Sequence, residues 1–243
     1  MTTVCLVMPA WNESEGIAQF LTELDSAVSP WPHTFIVVDD ASGDETGLAA
    51  RRALNTEGRV QVLTNDRNRG HGPSTMRALR AGLEHGADIF VAMDGDGQFV
   101  GADVAKVITM LVNSDLEIIE GIRTSRDDPG YRKFVSFSTR LLVWTRAHGW
   151  PADANTPLRA YRREALSRIV QHLPDESMTP NLLISVMTRR GGFRFGEIVV
   201  QARPRLGAST VGTTWGKGSR LPSSRFVKFC TSAIGEWFRT PVR

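Results

Sequence analysis

The chain is expected to fold as an α/β domain, a mostly parallel open sheet flanked by helices, and three features of its sequence point there. Short apolar runs of strand length, Val4 to Met8, Phe35 to Val38 and Ile89 to Met93, alternate with stretches whose apolar residues recur at helical spacing. Each run stops at a polar cluster, which is where the ligand site of such a sheet lies. The length, 243 residues with 41% hydrophobic residues, allows a sizeable core within one such domain.

The elements follow in order. Val4 to Met8 is ended by Pro9, and Pro9-Ala10-Trp11-Asn12-Glu13 comes next. Ile17, Phe20, Leu21, Leu24 and Val28 then form a helical stripe, with Ser14 as its cap candidate. The second run, Phe35 to Val38, leads into Asp39-Asp40-Ala41-Ser42-Gly43-Asp44. Ser42 and Asp44 suit the capping of a Leu48 to Leu54 helix, which leaves the Asp39 and Asp40 carboxylates to accept hydrogen bonds from a base or ribose. Asn68, Gly70, His71 and Gly72 open a helix through Met76, Leu79 and Leu83; a glycine-bearing helix start can approach an anion, although tight-turn geometry explains it equally. Ile89 to Met93 runs into Asp94-Gly95-Asp96-Gly97-Gln98, ahead of a helix on Val104, Val107, Ile108 and Leu111. The alternation implies right-handed crossovers, and places three polar loops at one sheet edge.

The second half is less regular. Helices are expected from Tyr131 to His148, near Arg163 to Val170 and around Asn181 to Thr188, and Phe193, Phe195, Ile198 and Val200 suggest a partly alternating strand. Gly, Ser and Thr rise from Gly207 to Gly218, as in a loop that closes over a ligand or in a plain connector. The expected organisation is one domain over residues 1–210, with a donor-binding half to about 125 and an acceptor-side half from 126, then a basic amphipathic tail over 211–243.

Composition removes several classes of function. No stretch reaches the roughly 18 uncharged apolar residues a membrane span requires, and no basic leader precedes the first strand, so a cytoplasmic protein is expected. Cys5 and Cys230 have neither metal-ligand spacing nor a disulfide framework, and read as buried thiols. The net charge of +3 hides an asymmetry: eight basic residues face the single acid Glu236 between Arg203 and Arg243, leaving residues 1–202 at −4. Phe226, Val227, Phe229, Ile234, Trp237 and Phe238 among those cations would suit peripheral contact with the inner face of a membrane, or core packing. Charge confined to one tail, with no nucleic-acid-binding motif, argues against nucleic acid.

Asp94 and Asp96, one residue apart at a strand end, can turn both carboxylates to one hard cation, Mg²⁺ or Mn²⁺. Such an ion binds a diphosphate and neutralises the charge that grows as it leaves. Gly95 and Gly97 remove bulk where phosphate would approach the backbone.

The order of Pro-Ala-Trp-Asn-Glu, Val-Val-Asp-Asp-Ala-Ser-x-Asp-x-Thr, Asn-Arg-Gly-x-Gly and Met-Asp-Gly-Asp-Gly-Gln resembles glycosyltransferase family 2, and within it the dolichol-phosphate mannose synthase and polyprenyl-phosphate sugar transferase branch. Gly121-Ile122-Arg123, Asp153 to Arg159, Glu197, and Arg203 with Arg205 to Ser209 extend the resemblance from residue 4 to about 210. It implies a GT-A fold, Rossmann-like, and an inverting enzyme that takes a sugar from a UDP- or GDP-linked donor. On this resemblance Pro9, Trp11, Glu13 and Asp40 contact the nucleoside with Asp39 beside them, and Asp94, Gly95, Asp96 and Gln98 hold metal and diphosphate. Arg203 approaches donor phosphate, and Arg123 and Arg132 meet an acceptor phosphate. Thr210 stands where the branch has a lysine; Lys217 is the substitute on offer.

The acceptor decides whether a base is needed. A lipid phosphate, with a second pKa of about 6, is already largely a dianion. A hydroxyl on a soluble acceptor, as in secondary-metabolite glycosylation, requires a carboxylate, and Asp153 and Glu176 are the candidates, Asp153 preferred. A sugar nucleotidyltransferase is disfavoured, because Trp11-Asn12-Glu13 occupies the place of its Gly-rich loop.

Overall fold

A computed structural model of the chain describes residues 1–54, 58–123, 130–147, 149–207 and 235–241, with the backbone alone for 130–135. The elements run β1 (Val4–Ala10), α1 (Ile17–Ala27), β2 (His33–Asp39), α2 (Thr46–Ala53), β3 (Val60–Thr64), α3 (His71–His85), β4 (Ile89–Ala92), α4 (Gly101–Val112), β5 (Ile118–Arg123), α5 (Gly130–Ala147), β6 (Arg159–Arg162), α6 (Arg163–His172), α7 (Pro180–Arg190) and β7 (Phe195–Val200). One seven-stranded sheet has the order β3-β2-β1-β4-β6-β5-β7. β1 lies parallel between β2 and β4, β6 is antiparallel to both β4 and β5, and β7 pairs in parallel with β5.

The sheet is buried on both faces at its centre, which is why β1 reads as an unbroken apolar run. Cys5 and Val7 join Ile36, Val38, Phe90 and the buried sides of α3, α6 and α7 in one core layer. Val4, Leu6, Met8, Phe35 and Val37 meet α1 and α4 in the other. Strand ends β1, β2 and β4 therefore point their following loops at one edge.

The structure departs from the sequence expectations in several places. β3, β5 and β6 are additional strands. The start of α1 is not capped by Ser14: the N–H groups of Gly16 and Ile17 donate to the Glu13 carbonyl, at 3.0 and 2.9 Å. Ser42 does not cap α2 either, whereas Asp44 does accept the N–H of Thr46 at 3.0 Å. β6, from beyond residue 125, inserts between β4 and β5 in the same sheet.

Of the tail, residues 235–239 form a short helix, with Trp237 buried beneath the Arg146 guanidinium, 4.9 Å from the ring centre. The Gly207 to Gly218 loop beyond 207, the remainder of the tail with Lys217, and Cys230 lie outside the described residues. Among the described residues no helix is long and apolar enough to cross a membrane.

Candidate active site

The loops after β1 and β2 are locked to each other. Asn12 and Ala41 both adopt left-handed backbone, φ 54° and 53°, a conformation costly for alanine and tolerated by asparagine. The Asn12 N–H donates to Ser42 Oγ (3.0 Å), and the Gly43 N–H donates to Asn12 Oδ1 (2.9 Å). Asp39 accepts both the N–H and the hydroxyl of Ser42, at 3.1 and 2.5 Å. Asp40, buried, accepts from Asn65 Nδ2 (2.6 Å) and from the N–H groups of Arg69 and Gly70 (2.8 Å each). Both carboxylates expected to meet a nucleoside thus have partners within the protein, and Asp40 shapes the loop that starts α3. Pro9 is buried within β1, while Trp11 is half-buried at its tip.

Beyond β4, Asp94 and Asp96 come together as the spacing requires. Gly95 is small because a Cβ there would stand 2.9 Å from the Pro9 carbonyl, to which its N–H donates at 3.0 Å. Packing on β1 requires this glycine. Gly97, at φ 71°, turns the chain under Leu206. Gln98 meets Asp96 through its backbone N–H, at 3.1 Å.

The electrostatics separate the two carboxylates. Burial pushes Asp94 up, but the His71 imidazole, 2.7 Å away, and the charges of Arg123 and Arg205 outweigh it and hold the group below the usual range. Asp96 is pushed up to about 6 by burial and by the charge of Asp94. Glu13, 5% exposed, is pushed up to about 8, chiefly by burial, with Asp96, Asp44 and Asp94 adding to it and Arg205 opposing. Arg205 bridges the group, 2.6 Å from Glu13 Oε1 and 3.8 Å from Asp96 Oδ2.

Arg205, not Arg203, therefore faces the acidic pair. Arg203 pairs with Glu23 on α1 (2.6 Å) and donates to the Gly97 carbonyl (2.7 Å). His71 and Arg205 are additions that sequence reasoning did not place at the site. The first was visible only as a helix opening, the second only as a motif position.

On the acceptor side Arg123, at the end of β5, grips Asp153 with two N–H groups, at 2.7 and 3.1 Å. Although burial opposes it, this contact holds the Asp153 carboxyl below the usual range. A depressed carboxylate in a bidentate pair is a poor base. Glu176 is exposed and paired with Arg69 beside the start of α3. Asp94 shares a small hollow with Pro157 and Asn181, so the loop between Asp153 and β6 reaches Asp94. The Arg132 side chain lies outside the described residues.

The glycosyl transferase family 2 profile matches residues 5–170. The chain belongs to glycosyl transferase family 2. This glycosyltransferase is 24% identical over 218 residues to the UDP-N-acetylglucosamine–dolichyl-phosphate N-acetylglucosaminyltransferase of Methanococcus voltae, covering 82% of this chain and 84% of the relative. It is 27% identical over 169 residues to the dodecaprenyl-phosphate galacturonate synthase of Rhizobium johnstonii, where 68% of this chain spans 49% of the relative. With the polyprenol monophosphomannose synthase of Mycolicibacterium smegmatis it shares 30% identity over 174 residues, 68% of this chain and 63% of that one. Among solved structures, the glucosyl-3-phosphoglycerate synthase of Mycobacterium tuberculosis superposes with a TM-score of 0.64 at 18% identity, over 86% of this chain and 72% of the other. The fold is GT-A.

Proposed function

We propose that this family 2 glycosyltransferase inverts configuration while moving a sugar from a UDP- or GDP-linked donor to the phosphate of a polyprenyl carrier, with Asp94 and Asp96 holding Mg²⁺ or Mn²⁺. The observation that carries the acceptor is the Arg123–Asp153 pair: the carboxylate preferred as base is committed to an arginine. A phosphate acceptor needs no base and is attracted by that guanidinium. The three curated relatives above act, by their names, on dolichyl, dodecaprenyl or polyprenol phosphates.

The acidic pair fits a divalent ion. Asp96 is protonated more readily than an ordinary carboxyl because partial burial and the charge of Asp94 both disfavour its ionised form, and a cation relieves that repulsion. Mg²⁺ or Mn²⁺ takes oxygen ligands, and Asp94 and Asp96 would supply two of them beside the diphosphate. The M. tuberculosis neighbour was solved with Mn²⁺ and UDP. When bound, the ion supplies Lewis-acid neutralisation of the leaving diphosphate. Arg205 offers a second positive charge there, His71 orients Asp94, and Trp11 with the Asn12–Ser42 lock shapes the nucleoside end. The acceptor phosphate oxygen forms the bond to the anomeric carbon as the bond to the diphosphate oxygen breaks.

Two measurements test this. Purified enzyme with labelled nucleotide sugars should glycosylate undecaprenyl phosphate and not undecaprenol; equal transfer to the alcohol would overturn the acceptor. In calorimetry, Asp94→Asn combined with Asp96→Asn should cost on the order of 3 kcal/mol of Mn²⁺-dependent nucleoside diphosphate affinity, and an unchanged affinity would overturn the metal site.

A further inference from the structure

Helix α5 leaves an apolar stripe in solvent. Phe137, Leu141 and Trp144 fall on one helical face, at spacings of four and three, and are 54%, 41% and 48% exposed. The opposite side, with Val143 and Ala147, is buried in the core. Trp150, 48% exposed, packs its ring on Phe137 with centroids 5.9 Å apart, and so carries the stripe off the helix. Three residues further on, Asp153 grips Arg123. At the same end of the helix, Arg146 donates to the carbonyls of Trp237 and Thr240, holding the turn on which Phe238 stands 82% exposed.

Single exposed apolar residues are ordinary; a contiguous run of large ones beside a reaction site marks an interaction surface. Its charge narrows the partner. From Gly130 to Trp150 the chain carries Arg132, Lys133, Arg140 and Arg146 and no acid, although residues 1–202 as a whole stand at −4. Aromatic and leucine side chains on a helix whose own charged residues are all cations suit the interfacial layer of an anionic bilayer. A second copy on a two-fold contact would set these cations against themselves.

We propose that α5, through Phe137, Leu141 and Trp144 with Trp150, lies on an anionic lipid surface and so presents the Arg123–Asp153 pair to phosphates at the bilayer interface. The placement rests on the reading of the acceptor as a polyprenyl phosphate, but lipid docking is measured without it.

The full chain is sedimented with vesicles of phosphatidylglycerol and phosphatidylcholine, and with phosphatidylcholine alone, beside a variant carrying Phe137→Ser, Leu141→Ser and Trp144→Ser. Wild type should pellet with the anionic vesicles, and the variant should partition at least about tenfold less while keeping the wild-type melting curve and its thermal shift with UDP or GDP and Mn²⁺. Should the triple variant fail to fold, Arg140→Glu alone must weaken binding to the anionic vesicles. Equal partitioning of the folded variants, or light scattering that shows them converting a wild-type dimer to monomers without loss of vesicle binding, overturns the proposal. Transfer to a short-chain polyprenyl phosphate in detergent separates the two readings. The variant should match wild type there yet fall behind on vesicle-borne undecaprenyl phosphate. If neither protein uses any polyprenyl phosphate, the acceptor assignment falls while the sedimentation result still decides the lipid surface.

Discussion

Arg203 and Arg205 are two positions apart, and either fits an expectation of a phosphate-facing cation; what separates them is which acid lies within reach. Glu23 on α1 takes Arg203, and Glu13 with Asp96 takes Arg205. Arg205→Gln should therefore weaken nucleoside diphosphate binding with little loss of stability, whereas Arg203→Gln should cost about 1 kcal/mol of stability at most, because its partly exposed ion pair is screened. Calorimetric titration and thermal melts of both variants check the split, and the reverse pattern would restore Arg203 to the site. Glu13 gives a pH signature. Its folded pKa of about 8 lies above the ordinary carboxyl value of 4.5, so the native state holds a proton that the unfolded chain releases. The stability this contributes is fully present below the unfolded value and is lost as pH rises through about 8. Glu13→Gln should gain melting temperature relative to wild type as pH increases across that window. A difference that stays constant with pH would show Glu13 to be ionised throughout beside Arg205. The Asp94 and Asp96 pair was legible from spacing and strand context alone. His71 and Arg205 were not, because nothing local in the sequence brings them to Asp94 and Asp96.

At the scale of elements, legibility followed burial. β1, β2 and β4 are covered on both faces and appear as apolar runs. β3 lies at the sheet edge with only Val62 buried among its five residues, and so lacks that mark. β5 and β6 are hidden for a different reason, since charges stand in their interiors. Arg159 of β6 and Glu120 of β5 are wholly buried, 2.8 Å apart. Glu120 also meets Arg189 of α7 (2.8 Å), which in turn pairs with Glu197 of β7 (2.7 Å), and Arg159 reaches Ser185 at 2.6 Å. Ser185 donates to the Ala154 carbonyl at 2.7 Å, so the network holds the loop that carries Asp153. A propensity argument reads Arg-Ala-Tyr-Arg as surface; tertiary pairing makes it a central strand. Glu120→Gln should cost about 3–5 kcal/mol, as expected when one partner of a buried pair is neutralised. Chemical denaturation reads that loss directly, and a cost below about 1 kcal/mol would mean that water reaches the pair. The α1 start was misread because its cap is a backbone carbonyl, not the Ser14 side chain; at α7, for which no cap was expected, Glu236 takes the N–H groups of Met178 and Thr179 just before the helix (3.0 Å each) from far along the chain.

For the whole molecule, the sheet order carries the strongest consequence. A donor-binding half and an acceptor-side half were expected to divide near residue 125, with Asp94 and Asp96 before that point and Asp153 after it. Packing does not divide there. β5 ends at Arg123, yet both of its neighbours, β6 and β7, come from beyond that point, and β4 is paired on its outer side by β6. Residues 1–125 alone would leave both sides of β5 and one side of β4 without partners, and would expose the Glu120 carboxylate that the later side chains Arg159 and Arg189 pair with. The two halves should accordingly unfold together. Calorimetry of the full chain should give one transition whose van't Hoff and calorimetric enthalpies agree, and a 1–125 fragment should show no cooperative melt. Two resolved transitions, or a fragment that melts cooperatively and binds nucleoside diphosphate with Mn²⁺, would mean that the donor half is a folding unit of its own. The shared sheet also brings the loop before β6 to Asp94 without a hinge: β6 runs from Arg159 directly beside β4, with Ala92 in register with Arg159, so Pro157 arrives beside Asp94 by strand pairing.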